Sequence, residues 1–382
     1  MNYKQDIEHL TQTNNLRILP NPVPNNMINL SSNDYLALNS DTTLWNNFTE
    51  TYQISTQKLS SCSSRLLTGN SSEYNQLETT IEQLYGNNKK ALVFGSGYHA
   101  NTGILPAMTT KNDLIVADKL VHASIIDGLR LSNAHIERFK HNDTNHLRHI
   151  LEKIRNQFQQ CFIVTESIFS MDGDIAPLND IVELKKQFNS LLYVDEAHAF
   201  GVRGKYGEGL CGEINILNNV DILVCTLGKA IASSGAFSLT SDIIKQYLVN
   251  HCRTLIFTTA LPPINVAWSN FIIQQLPQMT QRRQTLKTIY TTFANQLSVF
   301  DPKNLPPTAG QSHIIPFIVG ENDKVVQLSK ILQNNGFYVL PIRYPTVPKA
   351  TARLRFSLKA DLNTNSLQQI VQIIKQNAAL LD

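Results

Sequence analysis

The sequence predicts an α/β protein built on a mostly parallel central sheet that helices cover. Apolar runs with the length of buried strands alternate with amphipathic helical segments over about 200 residues, which is the pattern of repeated strand-helix-strand units. Several of these runs end in glycine turns or polar side chains, as strands do at the ligand-binding edge of such sheets. With 382 residues, of which 42% are hydrophobic and 16% charged, the chain is long enough for two domains.

The N-terminal region combines a short helix, an extended segment and a first strand. Residues up to 26 hold a helix candidate followed by LPNPVPNN, whose prolines and asparagines favour an extended or turn conformation. INLSSNDYLAL follows at 28–38 and is typical of a strand that ends in polar residues. From Glu73 to Tyr85 apolar side chains recur at helical spacing, and Gly86 marks the end of this predicted helix.

The remaining strands fall into two groups, which set the predicted domains. ALVF, DLIVAD, FIVTESIF, LLYVD and DILVCT belong to the alternating region, which stops near LPP at 261–263. A long helical pattern covers roughly 264–298 and leads through DPKNLPPTAGQ to three strands, HIIPFIVG, GFYVLPIRYP and ARLRFSL. We therefore expect an N-terminal segment (1–45), a large domain (46–285) and a smaller C-terminal α+β domain (286–382) against which the N-terminal segment packs.

The composition argues against several classes of protein. The net charge is +3 with Lys and Arg scattered along the chain, so no nucleic-acid surface is expected. The five cysteines show no CxxC or CxxH spacing, which favours free thiols in a reducing cytosol and predicts no metal site. No apolar run approaches the ~20 residues of a membrane span, and the start MNYKQDIEHLTQTNN lacks the apolar core of a signal peptide. We expect a soluble cytoplasmic protein.

Two predicted strand ends carry the side chains with the clearest chemistry. LLYVDEAHAFGVRG ends a strand on Asp195 and His198, and DILVCTLGKAIASSGAF ends the next strand on Thr226 and Lys229. Because the carboxyl ends of parallel strands share one crevice, these groups are expected to meet. A lysine amine can hold an aldehyde cofactor as a Schiff base while a buried carboxylate keeps its pyridine nitrogen protonated, which suits pyridoxal 5′-phosphate (PLP). Taken singly, the aspartate is also typical of a cap and the lysine of a solvated turn.

Three further motifs each allow two interpretations. FGSGYHAN at 94–101 places a glycine turn between a strand and a helix, where free N–H groups favour a phosphate, but it departs from the GxGxxG pattern and also fits a turn without a ligand. His122, in ADKLVHASIIDG, can either stack its flat ring on a planar cofactor or cap the helix that begins there. Ser170, in FSMDGD, is either a ligand hydroxyl or a turn former.

The strand ARLRFSL carries two arginines at a spacing of two. Arg353 and Arg355 therefore share one face of the predicted strand. Each guanidinium offers a planar fork that can hold a carboxylate through two hydrogen bonds. A solvated strand face is the alternative interpretation of this pair.

Taken together, these motifs resemble those of one enzyme family. The chain closely resembles the α-oxoamine synthases, and the segments that match occur in the order of the family: SSNDYLAL, SRLLTGN, FGSGYHAN, ADKLVHASIIDG, TESIFSMDGDIAPL, VDEAHAFGVRGKYGEG, TLGKAIASSGAF, FTTALPP and PTVPKATARLR. The resemblance spans almost the whole chain and implies a PLP-dependent transferase of fold type I that joins an amino acid to an acyl thioester with loss of CO2. The chain departs from the family pattern at SCSSR (61–65), at AFG after DEAH and at AIASSGA after the lysine, and these departures bear on acyl-chain specificity.

The resemblance implies a role for each candidate residue. Lys229 is the Schiff-base lysine and general base, Asp195 pairs with the pyridine nitrogen, and His198 hydrogen-bonds the phenolic oxygen of the cofactor. His122 is implied to stack on the cofactor ring. Further cofactor contacts are implied for Gly97, Tyr98, Ser170, Thr226 and Thr259, and substrate contacts for Arg17, Asn33, Thr346 and Arg355, the last as the clamp for the amino-acid carboxylate.

The resemblance also implies partners and substrates. Members of the family are homodimers with shared active sites, and Thr258 and Thr259 match the segment that reaches the partner's phosphate. Within the family, DEAH and the PTVPKATARLR ending favour L-alanine and a pimeloyl thioester, carried by coenzyme A or by an acyl carrier protein. Glycine with acetyl-CoA, or a longer acyl-CoA, are the alternative substrates. A non-catalytic partner subunit is the alternative from another class, and the presence of Lys229 argues against it.

Overall fold

The computed structural model of the chain describes residues 2–13, 15–52, 58–86 and 88–381. The described residues form two compact units. We call Leu36–Phe169 with Ile175–Arg283 the sheet unit, and Met1–Tyr35 with Ser170–Asp174 and Gln284–Asp382 the terminal unit.

The strands occupy these ranges in chain order: β1 (Ile28–Asn29), β2 (Lys90–Phe94), β3 (Leu114–Asp118), β4 (His135–Phe139), β5 (Cys161–Glu166), β6 (Leu191–Asp195), β7 (Ile222–Thr226), β8 (Ala236–Thr240), β9 (Ile314–Gly320), β10 (Phe337–Tyr338), β11 (Pro341–Ile342) and β12 (Ala352–Ser357). The helices are α1 (Tyr3–Gln12), α2 (Thr42–Thr51), α3 (Ser72–Leu84), α4 (Gly97–Met108), α5 (Ala123–Leu131), α6 (Thr144–Ile154), α7 (Leu178–Gln187), α8 (Leu210–Glu213), α9 (Asp242–His251), α10 (Arg253–Ile256), α11 (Pro263–Gln275), α12 (Thr280–Leu297), α13 (Asn322–Asn334) and α14 (Thr364–Gln376).

The sheet unit contains one seven-stranded sheet with the strand order β2-β8-β7-β6-β5-β3-β4. All neighbouring strands are parallel except β8, which runs antiparallel to both β2 and β7. The predicted α/β fold with a mostly parallel central sheet is therefore confirmed. All five residues of β3 are buried, as expected for an apolar strand that helices cover on both faces.

Two strands of this sheet were missed by the sequence reasoning. The edge strand β4 buries only Phe139 of its five residues, so HIERF lacks the apolar run that marks its neighbours. The antiparallel strand β8 is fully buried but includes Ser238 and Thr240, whose polarity hides the strand in the sequence.

The helix predicted for residues 73–85 is present as α3, and Gly86 follows it with φ +81°. The single long helix predicted for roughly 264–298 is wrong, because α11 ends at Gln275 and α12 begins at Thr280. The break is a short 3₁₀ turn that contains Pro277. A proline has no N–H for the helical ladder and clashes with the preceding turn, so the helical pattern cannot run through it.

The terminal unit contains an antiparallel sheet with the order β11-β12-β9 and a separate parallel pair of β1 and β10. The strand predicted for INLSSNDYLAL is reduced to the two residues of β1. The predicted GFYVLPIRYP strand is divided into β10 and β11. Among the described residues, no helix combines the length and the apolar character needed to span a membrane.

Candidate active site

The sheet unit gathers the candidate cofactor residues at the carboxyl ends of its parallel strands. Glu166 ends β5 and lies in register with Asp195 at the end of β6. Asp195 in turn pairs with Val224 of β7, two residues before Thr226. The side chains that the sequence placed at separate strand ends therefore share one edge of the sheet.

Lys229 and His198 are brought into contact at this edge. The Nζ atom of Lys229 lies 2.8 Å from Nε2 of His198. The imidazole is buried, whereas the lysine side chain is half-buried. An amine that hydrogen-bonds a buried imidazole is held in one place and can exchange a proton with that imidazole. This arrangement distinguishes Lys229 from a solvated surface lysine.

Asp195 is a buried carboxylate that accepts two hydrogen bonds. Its Oδ2 accepts from Nδ2 of Asn101 at 2.7 Å, and its Oδ1 accepts from the backbone N–H of Ala197 at 2.8 Å. Donors of this kind stabilise the charged form of a carboxylate. A carboxylate held in this way inside the protein can pair with a protonated ring nitrogen.

His122 caps the helix that follows β3. Its Nδ1 accepts from the backbone N–H of Ser124 at 3.2 Å and lies 2.7 Å from Oγ of the same serine. The residue as a whole is exposed, although the hydrogen bonds of its ring are partly buried. The capping interpretation is therefore correct, and capping through Nδ1 also leaves the stacking role open.

Glu166 is a second buried carboxyl that the sequence reasoning missed. Its Oε1 accepts from the backbone N–H of His122 at 2.5 Å. Burial, and next the nearby charge of Asp195, raise the pKa of Glu166 well above its usual value. Of two neighbouring carboxyls at this edge, Glu166 is thus the one favoured to keep its proton.

The glycine turn after β2 leads into the N-terminus of α4, which begins at Gly97. Ser96 caps this helix by accepting from the backbone N–H of His99 at 3.1 Å. A Cβ atom placed on Gly97 would lie 3.7 Å from Cβ of Thr226, so the turn and the end of β7 are neighbours. Tyr98 is half-exposed, and its hydroxyl donates to Asp127 at 2.6 Å. Free N–H groups at a helix N-terminus suit a phosphate.

The donor set at this edge fits PLP. The cofactor requires an amine, a carboxylate for its pyridine nitrogen, donors for its phenolic oxygen and an anion site for its phosphate. Lys229, Asp195 and His198 would supply the first three, and the N-terminus of α4 would supply the fourth. Among the described residues, no cluster of His, Cys, Asp and Glu forms a metal site that would compete with this interpretation.

The terminal unit holds Arg355 in a buried polar cluster. Nη1 of Arg355 lies 3.3 Å from Oδ1 of Asn33 and 2.5 Å from Oγ of Ser357, and its Nε donates to the backbone carbonyl of Ser170 at 2.5 Å. The hydroxyl of Tyr35 also donates to Oδ1 of Asn33, at 2.9 Å. Two predicted site residues, Asn33 and Ser170, are thus both in contact with a third, Arg355.

The structure distinguishes the two arginines of β12. Arg353 forms an ion pair with Asp172 and donates to the backbone carbonyl of Thr351 at 3.1 Å. Arg355 instead faces neutral amide, hydroxyl and carbonyl groups. Because its charge is met by neutral groups, Arg355 is the better candidate to bind a carboxylate.

The remaining predicted substrate residues also meet within the terminal unit. Nη2 of Arg17 lies 3.1 Å from Oγ1 of Thr346, although the two residues are 329 positions apart in the chain. Both side chains are exposed.

The two threonines implied to reach a partner subunit belong to the sheet unit. Thr259 is exposed and Thr258 is half-buried. The next residue, Ala260, donates its backbone N–H to the backbone carbonyl of Ser63 at 2.9 Å.

Asn101 and Glu166 are two polar residues of the site that the sequence reasoning did not single out. Asn101 ends the FGSGYHAN motif, and an amide there, just before the apolar run GILPAM, is a signal that could have revealed it. Glu166 ends an apolar strand in the same way as Asp195, so the strand-end argument applies to both.

The fold and the site define a PLP enzyme of fold type I: a mostly parallel seven-stranded sheet with one antiparallel strand, and a lysine, a carboxylate and two imidazoles at its carboxyl edge. Residues 25–374 match the family of class I and II aminotransferases, and the chain belongs to this family. It is a PLP-dependent transferase.

Curated relatives are similar over nearly the whole chain. A protein of Haemophilus influenzae strain 86-028NP, named "Putative 8-amino-7-oxononanoate synthase", is 48% identical over 97% of this chain and 98% of its own length. A protein of the same name from Neisseria gonorrhoeae strain NCCP11945 is 46% identical over 96% of this chain and 98% of its own length.

Solved structures agree with this family. The serine palmitoyltransferase of Sphingomonas wittichii is 29% identical and has a TM-score of 0.86, with 93% of this chain and 88% of that chain covered. A high-resolution structure of SPT with PLP is 27% identical with a TM-score of 0.85 over the same shares. The 8-amino-7-oxononanoate synthase of Francisella tularensis is 31% identical with a TM-score of 0.77, over 92% of this chain and 98% of that chain.

Proposed function

We propose that the chain condenses L-alanine with a pimeloyl thioester, with loss of CO2, to form 8-amino-7-oxononanoate in biotin biosynthesis. The thioester is carried by coenzyme A or by an acyl carrier protein. The observation that carries the proposal is the 48% identity to a relative of that name across 97% of this chain and 98% of the relative. The buried Asp195 and the contact between Lys229 and His198 support it, because they supply the groups that such a condensation needs.

Each cofactor role is proposed for a residue of known position. Lys229 holds PLP through its amine, Asp195 faces the pyridine nitrogen, His198 faces the phenolic oxygen and His122 lies against the ring. Contacts with the rest of the cofactor are proposed for Gly97, Tyr98, Ser170, Thr226 and, from the partner subunit of a dimer, Thr259. When bound, PLP supplies an electron sink that stabilises negative charge on the α-carbon of an amino acid.

Lys229 is proposed to move the proton at that α-carbon. To act as a general base, Lys229 needs an uncharged amine with a free electron pair. Nε2 of His198, 2.8 Å from Nζ, is placed to accept the proton that an ammonium form of Lys229 would have to lose. Asp195 keeps its charge through the N–H groups of Asn101 and Ala197, so it can stabilise a positive ring nitrogen throughout the reaction.

Arg355 is proposed to bind the carboxylate of the amino acid, with Asn33 beside it. The guanidinium is buried and its described partners are neutral oxygens, so a carboxylate would provide the opposite charge that this site lacks. Arg17 and Thr346, which contact each other, are proposed to bind the acyl substrate.

A cytoplasmic homodimer with shared active sites is also proposed. Two adjacent segments of the sheet unit carry exposed apolar side chains, with Leu59 and Leu67 on one and Phe257 on the other. The segments are joined by a hydrogen bond from Oγ of Ser61 to the backbone carbonyl of Leu261 at 2.7 Å. Exposed apolar surface of this kind is typical of an interface with another subunit. Thr259, proposed to contact the cofactor of the partner, lies two residues after Phe257 in the same segment.

A second candidate is a synthase that acts on another amino acid and acyl thioester, such as glycine with acetyl-CoA or a substrate with a longer acyl chain. The observation that favours it is the TM-score of 0.86 to a serine palmitoyltransferase, above the 0.77 to an 8-amino-7-oxononanoate synthase. The sequence identities, 29% and 31%, do not favour it.

A matrix of substrate pairs tests the proposal. The purified enzyme is assayed with alanine, glycine and serine, each against pimeloyl-, acetyl- and palmitoyl-CoA, by release of free thiol and by mass spectrometry of the aminoketone. Pimeloyl-acyl carrier protein is assayed in parallel. We expect the highest kcat/KM for alanine with a pimeloyl thioester. Turnover of glycine with acetyl-CoA, or of serine with palmitoyl-CoA, in the absence of the alanine reaction would refute the proposal and support the second candidate.

A further inference from the structure

The buried side of Asp195 is occupied by the amide of Asn101. Nδ2 of Asn101 lies 2.7 Å from Oδ2 of Asp195 and 2.9 Å from Oγ of Ser124, which lies 2.7 Å from Nδ1 of His122. An amide nitrogen has two hydrogens, so it can donate to both oxygens at once. One side chain therefore connects the carboxylate with the imidazole assigned to the cofactor ring.

Tyr193 determines which way this amide faces. Its hydroxyl donates to Oδ1 of Asn101 at 2.5 Å, and its side chain is fully buried. Burial, and next the charge of Asp195, raise the pKa of Tyr193 well above its usual value, so the phenol keeps the proton that it donates. A reversed amide would place Oδ1 against the carboxylate of Asp195 and its NH2 group against the hydroxyl of Tyr193, which removes the donor from the carboxylate.

The packing of two helices holds Asn101 in this place. Asn101 belongs to α4 and Ser124 to α5, and these helices pack closely on each other. Gly128 of α5 permits the approach, because a Cβ atom there would lie 2.3 Å from the backbone carbonyl oxygen of Asn101. Tyr193 lies two residues before Asp195 on β6, so both side chains lie on the same face of the sheet.

We propose that Tyr193 and Asn101 are positioning residues, which hold Asp195 charged and oriented toward the pyridine nitrogen of PLP and connect it to His122 through Ser124. The inference rests on the role assigned to Asp195 in the proposed function. Neither residue is required to touch the substrate. Tyr193 acts only through Asn101, since the carboxylate oxygens of Asp195 accept from Asn101 and Ala197.

The visible absorption of the bound cofactor tests this inference independently of turnover. Holoenzymes of the wild type, Asp195→Asn, Asn101→Ala, Tyr193→Phe and the double variant are titrated from acidic to alkaline pH. Without the amide donor, the proton shared between the ring nitrogen and Asp195 moves toward the carboxylate, so the ring withdraws electrons less and the apparent pKa of the absorption change rises. We expect a rise of roughly half a pH unit or more in Tyr193→Phe and Asn101→Ala, smaller than in Asp195→Asn.

Two comparisons make the test specific. The double variant should titrate like Asn101→Ala alone, because Tyr193 acts through the amide. Tyr85→Phe is the matched control, since Tyr85 is also buried but its hydroxyl contacts Sγ of Cys225 at 3.7 Å rather than a residue of the site. It should titrate like the wild type. If Asn101→Ala does not retain the cofactor, Tyr193→Phe alone decides.

The outcomes separate the inference from the proposed function. If the apparent pKa of the absorption change is that of the wild type in Tyr193→Phe but is raised in Asp195→Asn, the positioning role is refuted. This holds even if Tyr193→Phe unfolds at a lower urea concentration than the wild type. A wild-type titration in Asp195→Asn would refute the assigned role of Asp195, and the inference with it. A shift in Tyr85→Phe equal to that in Tyr193→Phe would show that loss of any buried hydroxyl suffices, which also contradicts the inference.

Discussion

Glu196 allows a quantitative prediction about stability and pH. It follows Asp195 directly, is fully buried, and accepts from the backbone N–H of Cys211 at 2.8 Å. Burial raises its pKa from 4.5 to about 7, in spite of hydrogen bonds from Cys211 and Leu210. A carboxyl that keeps its proton in the folded protein but loses it in the unfolded chain destabilises the fold as the pH rises from 4.5 to 7.

The size of the effect follows from the two pKa values. Because a difference of one pH unit corresponds to about 1.36 kcal/mol, the carboxyl of Glu196 destabilises the fold by about 3 kcal/mol above pH 7, by less than 1 kcal/mol near pH 5, and hardly at all below pH 4.5. Glu196→Gln can keep the hydrogen bond to Cys211 and does not titrate. We expect the free energy of unfolding of the variant to rise relative to wild type by about 2.5 kcal/mol between pH 5 and pH 8.

Urea unfolding at a series of pH values measures this difference. Protein and PLP concentrations are held constant, because a bound cofactor and a second subunit both shift apparent stability. Glu152→Gln, on the exposed side of α6, is the control for removal of a carboxylate from the same unit. A difference between Glu196→Gln and wild type that does not vary with pH, or that falls as the pH rises, would refute the reasoning.

Two further predictions concern single side chains. Arg355→Lys should raise the KM for the amino acid about tenfold or more, because it replaces the planar fork with a point charge, whereas Arg353→Lys should leave this KM nearly unchanged and lower the free energy of unfolding by about 1 kcal/mol. Steady-state kinetics and urea unfolding measure the two effects. Equal KM values in the two variants would contradict the assignment of Arg355. Cys62 is exposed and has φ +52°, a left-handed conformation that favours glycine and disfavours β-branched residues. Cys62→Gly should therefore leave the free energy of unfolding unchanged or raise it by up to about 1 kcal/mol, and Cys62→Val should lower it by about 1 kcal/mol. Urea unfolding measures both variants, and a stabilising valine would contradict this reasoning.

The parts of the fold that could be predicted are those whose signal is local. β6 is an apolar run that ends in Asp195, and β7 is one that ends in Thr226, three residues before Lys229. Both strands and the edge that carries Asp195 and Lys229 therefore follow from the sequence. β4 and β8 could not be recognised in the same way, because one is mostly exposed and the other carries buried polar residues. Pro277 was visible in the sequence, and its effect on the long helical pattern follows from its missing N–H.

The parts of the site that could not be predicted depend on packing between distant segments. Arg353 and Arg355 are equivalent by spacing, and only the position of Asp172 separates an ion pair from a candidate carboxylate site. The hydrogen bond between Asn101 and Asp195 joins residues 94 positions apart, and no local pattern specifies it.

Identification of the lysine that holds the cofactor tests the central claim most directly. The holoenzyme is treated with borohydride, which fixes PLP to the amine that carries it, and the protease-digested peptides are analysed by mass spectrometry. We predict a single phosphopyridoxyl adduct on Lys229, and none in Lys229→Ala, with Lys205→Ala as the control that keeps it. An adduct on another lysine of the wild-type enzyme, or none at all, would contradict the account.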